Sequence, residues 1–505
     1  MFVVSSTVRL PFHSCMDASS LPSRIRRGAV LACTAVVLLA VRPAPRPPPP
    51  PTDLAATVER LLDDGRANGA FWGVAVKNLD TGAMLVSRNP DKGFLPASNQ
   101  KLLTTATALD ALGATYRYET TLRFDGTVRD STLRGDLVVH GTGDPTFGTF
   151  ELRGADPLKQ WAERLAAMGV RRIQGRLIGD DNRFDNRPYP DGWNVDYITR
   201  QSGRYMGASA SGLSYRDNVV ALKVTSSNPG APPYVEARPP DAVRITNEAE
   251  TSARRRGSSL QITRAFDSNH LFLRGSVPRA YRGTKHVPIS NPTTFTLRNF
   301  VRHLHEAGIE TSLRVVDVDA LDTPVPQGDP LFVTLSPPLS EIVAAVNKRS
   351  NNFYAEQLFR TYGWGGSARG AAKRTETLLR RAGVDTRDVL VSDGSGLSRK
   401  NLVTPRAMVG LLAHMNEHAA RDAFLASLAA GGENNTTLEY RLHRESVHAK
   451  TGSLRFVRAL SGYAQRPNGD RVAFAVFANN YTGPSYRIAR TIDALVKAIT
   501  SPPSS

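Results

Sequence analysis

The sequence predicts an α/β fold of the α+β kind, in which one domain is built from both ends of the chain and is interrupted by a long β-rich insertion. Helix-like periodicity is concentrated near the start and in the last third, strand-like runs occur in both of those regions, and short alternating runs fill the stretch between them. We therefore expect residues 53–116 plus 334–505 to form the discontinuous domain and residues 117–333 to form an insertion of two small subdomains. Residues 1–52 lie outside both.

The segment before the predicted domain has the composition of an export signal followed by a spacer. Arg24, Arg26 and Arg27 precede an apolar run at 28–41, in the order typical of a secretory signal. The run is shorter than the roughly twenty residues that span a membrane, which favours a cleaved signal over an anchor. Seven prolines within 43–51 favour an extended spacer. We expect export to the periplasm or extracytoplasmic cell envelope.

Helix and strand signals alternate in the first part of the predicted domain. Residues 54–61 have helical spacing, and residues 72–79 and 84–87 are typical of two strands joined by a turn. Residues 98–112 begin at a serine and end before a glycine, and the apolar run at 102–112 between these signals predicts a buried helix.

The rest of the chain shows short alternating runs first and helical spacing later. In the insertion, runs parted by Gly, Pro, Asn and Asp predict strands at 137–140, 219–224, 243–246 and 271–274. After the insertion, the pattern predicts helices at 339–346, 352–362, 405–418 and 486–499, and strands at 460–463 and 472–477.

Charge and composition narrow the class of partner. The formal charge is +18, of which +5 falls in the first 52 residues, so the remaining chain is clearly basic. A basic surface attracts polyanions, and loose association with a membrane surface or an anionic envelope polymer fits this charge. The chain has no P-loop, no zinc-finger spacing and no basic run with interleaved aromatics, so we expect no nucleic-acid partner.

Cysteine and histidine positions argue against a metal centre or another cofactor. Cys15 and Cys33 precede the predicted domain, so that domain has no disulfide, thiolate site or cysteine nucleophile. The histidine pair at 414 and 418 lacks the glutamate of a zinc-peptidase motif, and neither that pair nor the one at 303 and 305 has an evident third ligand.

Three short motifs carry candidate chemistry. In Ser98-Asn-Gln-Lys101, a spacing of three places the hydroxyl and the amine on one helical face, and a buried lysine with a lowered pKa can activate a serine. Ser350-Asn-Asn352 lies between two predicted helices. Taken alone, the first motif is also typical of a helix cap with a solvated lysine, and the second of a capping turn.

The third motif, Lys450-Thr451-Gly452, is followed by Ser453 and leads toward a strand. There Lys450 offers a charge to a carboxylate, Thr451 offers a hydroxyl, and Gly452 permits close approach of a backbone. In chain order, the three motifs fall on a helix, a loop and a strand.

This set resembles the motifs of penicillin-binding proteins and serine β-lactamases. Ser98 and Ser350 are 252 residues apart, which is more than a bare β-lactamase-like domain needs, whereas Ser350 and Lys450 are 100 apart. Such spacing resembles the low-molecular-mass class C penicillin-binding proteins, the D-alanyl-D-alanine carboxypeptidase/endopeptidase (DacB-like) family, whose hallmark is a large insertion. Residues 143–146 and 393–398, with Asn401, are similar to the same family.

The resemblance implies a role for each motif residue. Ser98 would attack the D-Ala–D-Ala carbonyl, with Lys101 as proton acceptor, and Ser350 would pass a proton to the departing amine. Asn352 would hold the substrate amide. Further contacts would come from Lys450 and Thr451, which would bind the terminal carboxylate, and from the N–H groups of Ser98 and Ser453, which would form the oxyanion hole.

One further site residue follows from the resemblance alone. The family places an acidic residue after a Gly-Trp pair in the insertion, which here is Gly192-Trp193 followed by Asp196, with one residue fewer in between than is common. Asp196 would pair with a free amino group of the substrate peptide. A turn-forming or surface aspartate is the alternative.

The activity implied is that of a serine-type D-Ala-D-Ala carboxypeptidase, with endopeptidase activity open, that trims peptidoglycan peptides through an acyl-enzyme. Its partners would be peptides ending in D-Ala-D-Ala and, as covalent inhibitors, β-lactam antibiotics. Two alternatives stand beside it: a serine β-lactamase or esterase on the same fold, which rapid deacylation would reveal, and an inactive envelope-binding module.

Overall fold

The computed structural model describes residues 53–64, 69–149, 154–200 and 207–501, together with residue 152. The predicted export signal and the proline spacer lie outside these residues. No helix in the described part of the chain combines the length and the apolar character that a membrane crossing requires.

A six-stranded antiparallel sheet joins the two ends of the chain. Its central contact pairs β1 (Phe71–Asn78) with β19 (Arg471–Asn479) over the full length of β1. The order across the sheet is β16-β17-β18-β19-β1-β2. The other four strands are β2 (Met84–Arg88), β16 (Ala429–Ala430), β17 (Val447–Leu454) and β18 (Val457–Gln465).

Helices cover both faces of this sheet. Along β19, Val472 and Phe474 contribute to the core that α1 (Asp53–Asp63) and α11 (Ser485–Thr500) complete, whereas Ala473 and Ala475 belong to the core on the opposite face. That second face carries α2 (Gln100–Leu112), α6 (Leu339–Lys348), α7 (Asn352–Tyr362), α8 (Ala368–Arg381), α9 (Pro405–Glu417) and α10 (Arg421–Ser427). The sequence did not predict α8 or α10.

A mixed five-stranded sheet of order β14-β5-β4-β3-β15 occupies part of the middle of the chain. Its strands are β3 (Glu119–Arg129), β4 (Thr132–His140), β5 (Arg172–Asp180), β14 (Glu310–Asp317) and β15 (Asp329–Leu335). Two helices, α3 (Pro157–Ala167) and α5 (Pro292–Glu306), share a core with this sheet, and a short helix, α4 (Val195–Thr199), lies between β5 and β6. The middle region is rich in strands, and it also contains these three helices, which the sequence did not predict.

The other strands of the middle region form three small sheets of order β13-β6-β7, β10-β11-β8 and β12-β9. Their bounds are β6 (Val219–Thr225), β7 (Tyr234–Arg238), β8 (Arg244–Asn247), β9 (Glu250–Ser252), β10 (Gln261–Arg264), β11 (His270–Arg274), β12 (Ser276–Pro278) and β13 (Arg282–Pro288). Within the described residues, strands β3 to β15 pair only with one another. The division into a discontinuous domain and an insertion stays our interpretation of this pairing.

Candidate active site

Ser98 and Lys101 lie at the start of a largely buried helix. Ser98 occupies a 3-10 turn, Ala97–Asn99, and α2 begins directly after it at Gln100. The Lys101 Nζ is 3.1 Å from the Ser98 Oγ. Ser98 is partly exposed whereas Lys101 has no exposed surface, so Ser98 is accessible to solvent and the amine supports it from within.

Two strong acceptors hold the Lys101 amine beside the hydroxyl. Its Nζ donates to the Asn352 Oδ1 and to the backbone carbonyl of Ser395, each at 2.6 Å. Burial lowers the pKa of Lys101 to about 7, and the carboxylates of Asp393 and Glu356 oppose that change. The amine is therefore easily neutralised near neutral pH while keeping fixed hydrogen bonds.

The second motif forms the sharp turn between α6 and α7. Ser350 has a φ of +58°, a left-handed conformation that reverses the chain, and the Asn351 side chain accepts the N–H of Tyr354 as the helix cap. Asn352 is then the first residue of α7, which directs its amide to Lys101. Ser350 remains partly exposed two residues before it.

The third motif lies on β17, next to the turn that carries Ser98. Lys450 is fully buried, and its Nζ donates to the Thr451 carbonyl at 3.0 Å. Burial, and then the charge of Lys101, hold the pKa of Lys450 well below its ordinary value. Two lysines thus share one buried region, which favours an anionic ligand that compensates their charge.

Asn99 and Gly452 fasten β17 to the Ser98 turn. The Asn99 side chain donates to the Lys450 carbonyl at 2.7 Å and accepts the Ser461 hydroxyl at 2.6 Å, so it bridges β17 and β18. A Cβ at Gly452 would lie 2.7 Å from the carbonyl oxygen of Pro96. Glycine is thus required for the strand to approach the turn this closely.

The edge of β17 is open beyond Ala449. Gly431, next to β16, donates its N–H to the Val447 carbonyl, and β16 itself pairs only with His448 and Ala449. Backbone groups point to alternate sides along an antiparallel strand, so Thr451 and Ser453 direct theirs to the same side as Val447. No strand within the described residues pairs with them there. Their N–H groups face the open edge, while Ser453 itself is exposed.

Two buried carboxylates that sequence reasoning did not assign lie behind Lys101. Glu356 accepts the N–H groups of Gly394 and Ser395 at 3.1 and 2.7 Å. Asp393 accepts the N–H groups of Gly396 and Ser398 and the Asn401 side chain at 2.6 to 2.8 Å. The sequence does contain one signal for Glu356, because it lies one helical turn after Asn352 and therefore on the same face of the predicted helix.

The Gly-Trp segment docks on the same loop. The Trp193 indole N–H donates to the Asp393 Oδ2 at 2.9 Å, and the Ser398 hydroxyl donates to the Asp191 carbonyl at 2.6 Å. Asp196 lies three residues further on, in α4, with an exposed carboxylate that pairs with Arg200 at 3.1 Å. The structure therefore brings Trp193, rather than Asp196, into contact with the buried loop.

One group of acidic side chains lies apart from these motifs. Within the described residues, carboxylate oxygens of Asp181, Asp317 and Asp319 lie within 4.8 Å of one another, a spacing that suits a metal ion. Burial raises the pKa of Asp181 to about 6, and Thr293 donates to its carboxylate at 2.5 Å. We assign no function to this cluster.

Comparisons with known proteins agree with this arrangement. A family model described as the D-Ala-D-Ala carboxypeptidase 3 (S13) family matches residues 54–500. A D-alanyl-D-alanine carboxypeptidase from an Actinomadura species is 32% identical over 454 residues, which cover 86% of this chain and 82% of the relative. The D-alanyl-D-alanine carboxypeptidase DacB of Haemophilus influenzae is 26% identical over 428 residues, or 82% of this chain and 86% of the relative.

Solved structures show the same fold. The crystal structure of penicillin binding protein 4 from Haemophilus influenzae matches with a TM-score of 0.76 at 24% identity, covering 88% of this chain and 99% of that one. The same protein complexed with a β-lactam matches with a TM-score of 0.71, covering 89% and 99%.

Proposed function

Because the chain belongs to the D-Ala-D-Ala carboxypeptidase 3 (S13) family, and is thus a serine-type D-Ala-D-Ala carboxypeptidase, we propose that Ser98 is its nucleophile and Lys101 the base that activates it. The observation that carries this proposal is the 3.1 Å contact between the Ser98 Oγ and a lysine amine held by two further acceptors. A base must lie within hydrogen-bond reach of the proton it removes, and this one does.

The hydrogen bonds around Lys101 orient the lone pair of its neutral amine. A neutral Lys101 has two N–H donors and one lone pair, and the acceptors of Asn352 and Ser395 occupy the two donors. The lone pair then faces the Ser98 hydroxyl. Lys101 takes the hydroxyl proton as the Ser98 Oγ bonds to the peptide carbonyl. As the C–N bond breaks, Ser350 passes its hydroxyl proton to the departing D-Ala amine and regains one from the Lys101 ammonium. Water then attacks the acyl-enzyme, which releases the acid and restores the Ser98 hydroxyl.

The remaining motif residues bind the substrate in this proposal. Lys450 and Thr451 hold the terminal carboxylate, which supplies the anion that two buried lysines favour. The N–H groups of Ser98 and Ser453 stabilise the oxyanion, and the open edge of β17 supports the second of these donors. Asn352, besides holding Lys101, contacts the substrate amide.

The insertion and the N-terminal segment extend the proposal. Residues 117–333 select the substrate, with Asp196 pairing with an amino group of the stem peptide, because Trp193 docks the preceding segment on the loop behind Lys101. The export signal at 24–41 takes the enzyme to the cell envelope. There it acts on peptidoglycan peptides, and its basic surface favours loose contact with anionic polymers or membranes.

Covalent labelling by penicillin tests the nucleophile. A β-lactam presents its ring carbonyl where the scissile carbonyl would lie, so residues 53–505 incubated with benzylpenicillin should gain one intact drug mass, which peptide mapping assigns to Ser98. Ser98→Ala should abolish both the adduct and D-Ala release.

Ser87→Ala is the matched control, because Ser87 is an exposed serine on β2. It should leave labelling and D-Ala release unchanged. An adduct on another residue, or full D-Ala release by the Ser98→Ala protein, would return the chain to the envelope-binding alternative. Rapid loss of the adduct would favour the β-lactamase alternative.

A further inference from the structure

Glu356 occupies the same face of α7 as Asn352, one turn further along. Residues four apart on a helix are neighbours, so the two side chains point to the same buried region. Asn352 contacts Lys101 directly. Glu356 is 1% exposed and meets instead the backbone of the loop that passes behind Lys101.

Ser395 links Glu356 to Lys101. Its N–H donates to the Glu356 Oε1 at 2.7 Å, and its carbonyl accepts the Lys101 Nζ at 2.6 Å. The N–H of Gly394 also donates to Glu356, at 3.1 Å. The carboxylate therefore fixes the residue whose carbonyl aims the lysine amine.

The charge of Glu356 also faces that amine. The titratable groups around Lys101 are the carboxylates of Glu356 on α7 and Asp393 on the loop, and the second lysine, Lys450, on β17. Burial, and then the charge of Asp393, raise the pKa of Glu356, whereas its two N–H donors favour the ionised form. A lysine ammonium nearby favours it further.

We propose that Glu356 is a positioning residue, which aims Lys101 at Ser98 through the Ser395 carbonyl and stabilises the ammonium that forms when Ser98 loses its proton. This inference rests on the proposed roles of Ser98 and Lys101. In this arrangement α7 contributes to the same amine twice, once through Asn352, which accepts a hydrogen bond from Lys101, and once through Glu356, which holds the loop that carries Ser395.

The test separates positioning from folding by following the acylation step. Purified proteins are mixed with a fluorescent penicillin, and the rate at saturating drug, the half-saturating concentration and the final adduct per protein are measured from pH 5 to 9. Glu356→Gln keeps the size of the side chain and removes its charge. We expect full final labelling and unchanged half-saturation, with a maximal rate lowered by roughly tenfold or more, since a positioned base contributes about 10²–10⁴-fold.

The pH profile is the readout that a purely structural role would not move. In this proposal the Lys101 ammonium and the two N–H donors keep Glu356 ionised against the effect of burial. Glu356→Gln then removes a charge that favours the ammonium, so the fall of the rate at acid pH should move to lower pH by about one unit. Glu356→Asp keeps a charge on a shorter side chain. It should return the fall of the acylation rate to the pH seen in the unaltered protein, while recovering only part of the maximal rate. Glu341→Gln, an exposed glutamate on α6, is the matched control and should match the unaltered protein.

Each outcome decides the inference. A normal rate and an unmoved pH profile in Glu356→Gln, with labelling still on Ser98, would overturn it and leave the proposed function intact. Reduced final labelling with a normal rate for the labelled fraction would show that Glu356 serves folding alone, which also overturns it. Labelling that persists in Ser98→Ala would instead overturn the proposed function itself.

Discussion

Lys101 is fully buried, and its amine is fully supplied with hydrogen-bond acceptors. It has no exposed surface, yet all three positions around its Nζ have acceptors within 3.1 Å. Loss of hydration destabilises the ammonium, while the fixed acceptors keep the amine in place in either protonation state. Reactivity at this residue is therefore a property of its surroundings.

The pH dependence of acylation should show this directly. Because the pKa of Lys101 lies at about 7, the base form predominates above that pH and disappears below it. The rate of penicillin acylation should be level in mild alkali and fall about tenfold per unit below pH 7. Stopped-flow fluorescence with a labelled penicillin measures it. A rate that already falls below about pH 10, the range of an ordinary lysine, would contradict the assignment of Lys101 as a base with a lowered pKa.

At the residue scale, the sequence predicts the pair of Ser98 and Lys101, but it does not predict the two carboxylates behind Lys101. Ser98 and Lys101 are recognisable because a spacing of three is meaningful in any helix. Glu356 and Asp393 come close to Lys101 only through the packing of α7 and a loop against α2. No periodic pattern in the sequence predicts that Glu356 and Asp393 lie near Lys101, so only the structure reveals it.

At the scale of elements, β17 packs closely against the Ser98 turn. The side chain that Gly452 lacks would overlap the Pro96 carbonyl, and Asn99 holds the same strand through the Lys450 carbonyl. These two contacts fix the position of β17 relative to Ser98. A small displacement there changes the distance between Ser98 and every group that β17 presents.

Gly452→Ala should therefore impair catalysis more than folding. The added methyl pushes β17 from the turn, and we expect penicillin acylation to slow by roughly a hundredfold, the scale of misplacing a reacting group by about an ångström. Gly483→Ala is the matched control, because a Cβ there meets nothing within 4 Å. Rates and melting temperatures are compared for both. Equal acylation rates in the two variants would show that the fit is not critical.

The elements themselves were predicted unevenly, for identifiable reasons. α7 has the bounds that the sequence predicted, because its apolar residues repeat with helical spacing. α3 and α5 lie in a region where short strands dominate the periodicity, so the apolar pattern did not predict them. Each begins with an Asx cap followed by proline, Asp156-Pro157 and Asn291-Pro292, and this start signal is present in the sequence.

At the scale of the whole molecule, α7 connects catalysis to the middle region of the chain. Gln357, fully buried, accepts the N–H of Ser211 at 3.0 Å and donates to the carbonyls of Gly143 and Ser211 at 3.1 and 3.0 Å. Arg360, also buried, pairs with Asp185. One helix thus contacts Lys101 through its first turns and the middle region through its later ones.

Gln357→Leu should destabilise the entire protein. It leaves buried N–H and C=O groups of the middle region without partners, at about 1–3 kcal/mol for each unsatisfied group. We expect a lower melting temperature in calorimetry and a transition that broadens or splits as the two regions uncouple. Gln160→Leu, at an exposed position of α3, is the control and should change little. A melting curve equal to that of the control would contradict this coupling.

The substrate selection that we propose for Asp196 also belongs to this scale, because the middle region contributes this residue. Asp196→Asn should weaken cleavage of muropeptides that carry a free side-chain amine, since an ion pair is lost, and should spare a minimal D-Ala–D-Ala peptide. Chromatography of the products measures both. Asp319→Asn, another exposed aspartate, is the control. Equal loss on both substrates would count against a role for Asp196 in selection.

The open edge of β17 also bears on solubility. Proteins usually protect a sheet edge with a neighbouring strand, a proline or a bulge, because unpaired backbone groups template the addition of any extended chain. An edge that admits a peptide, as we propose for β17, cannot be closed in these ways. The N–H groups of Thr451 and Ser453 on this open edge are equally available to an extended segment of another copy. The same edge therefore favours aggregation, and a ligand bound there protects it.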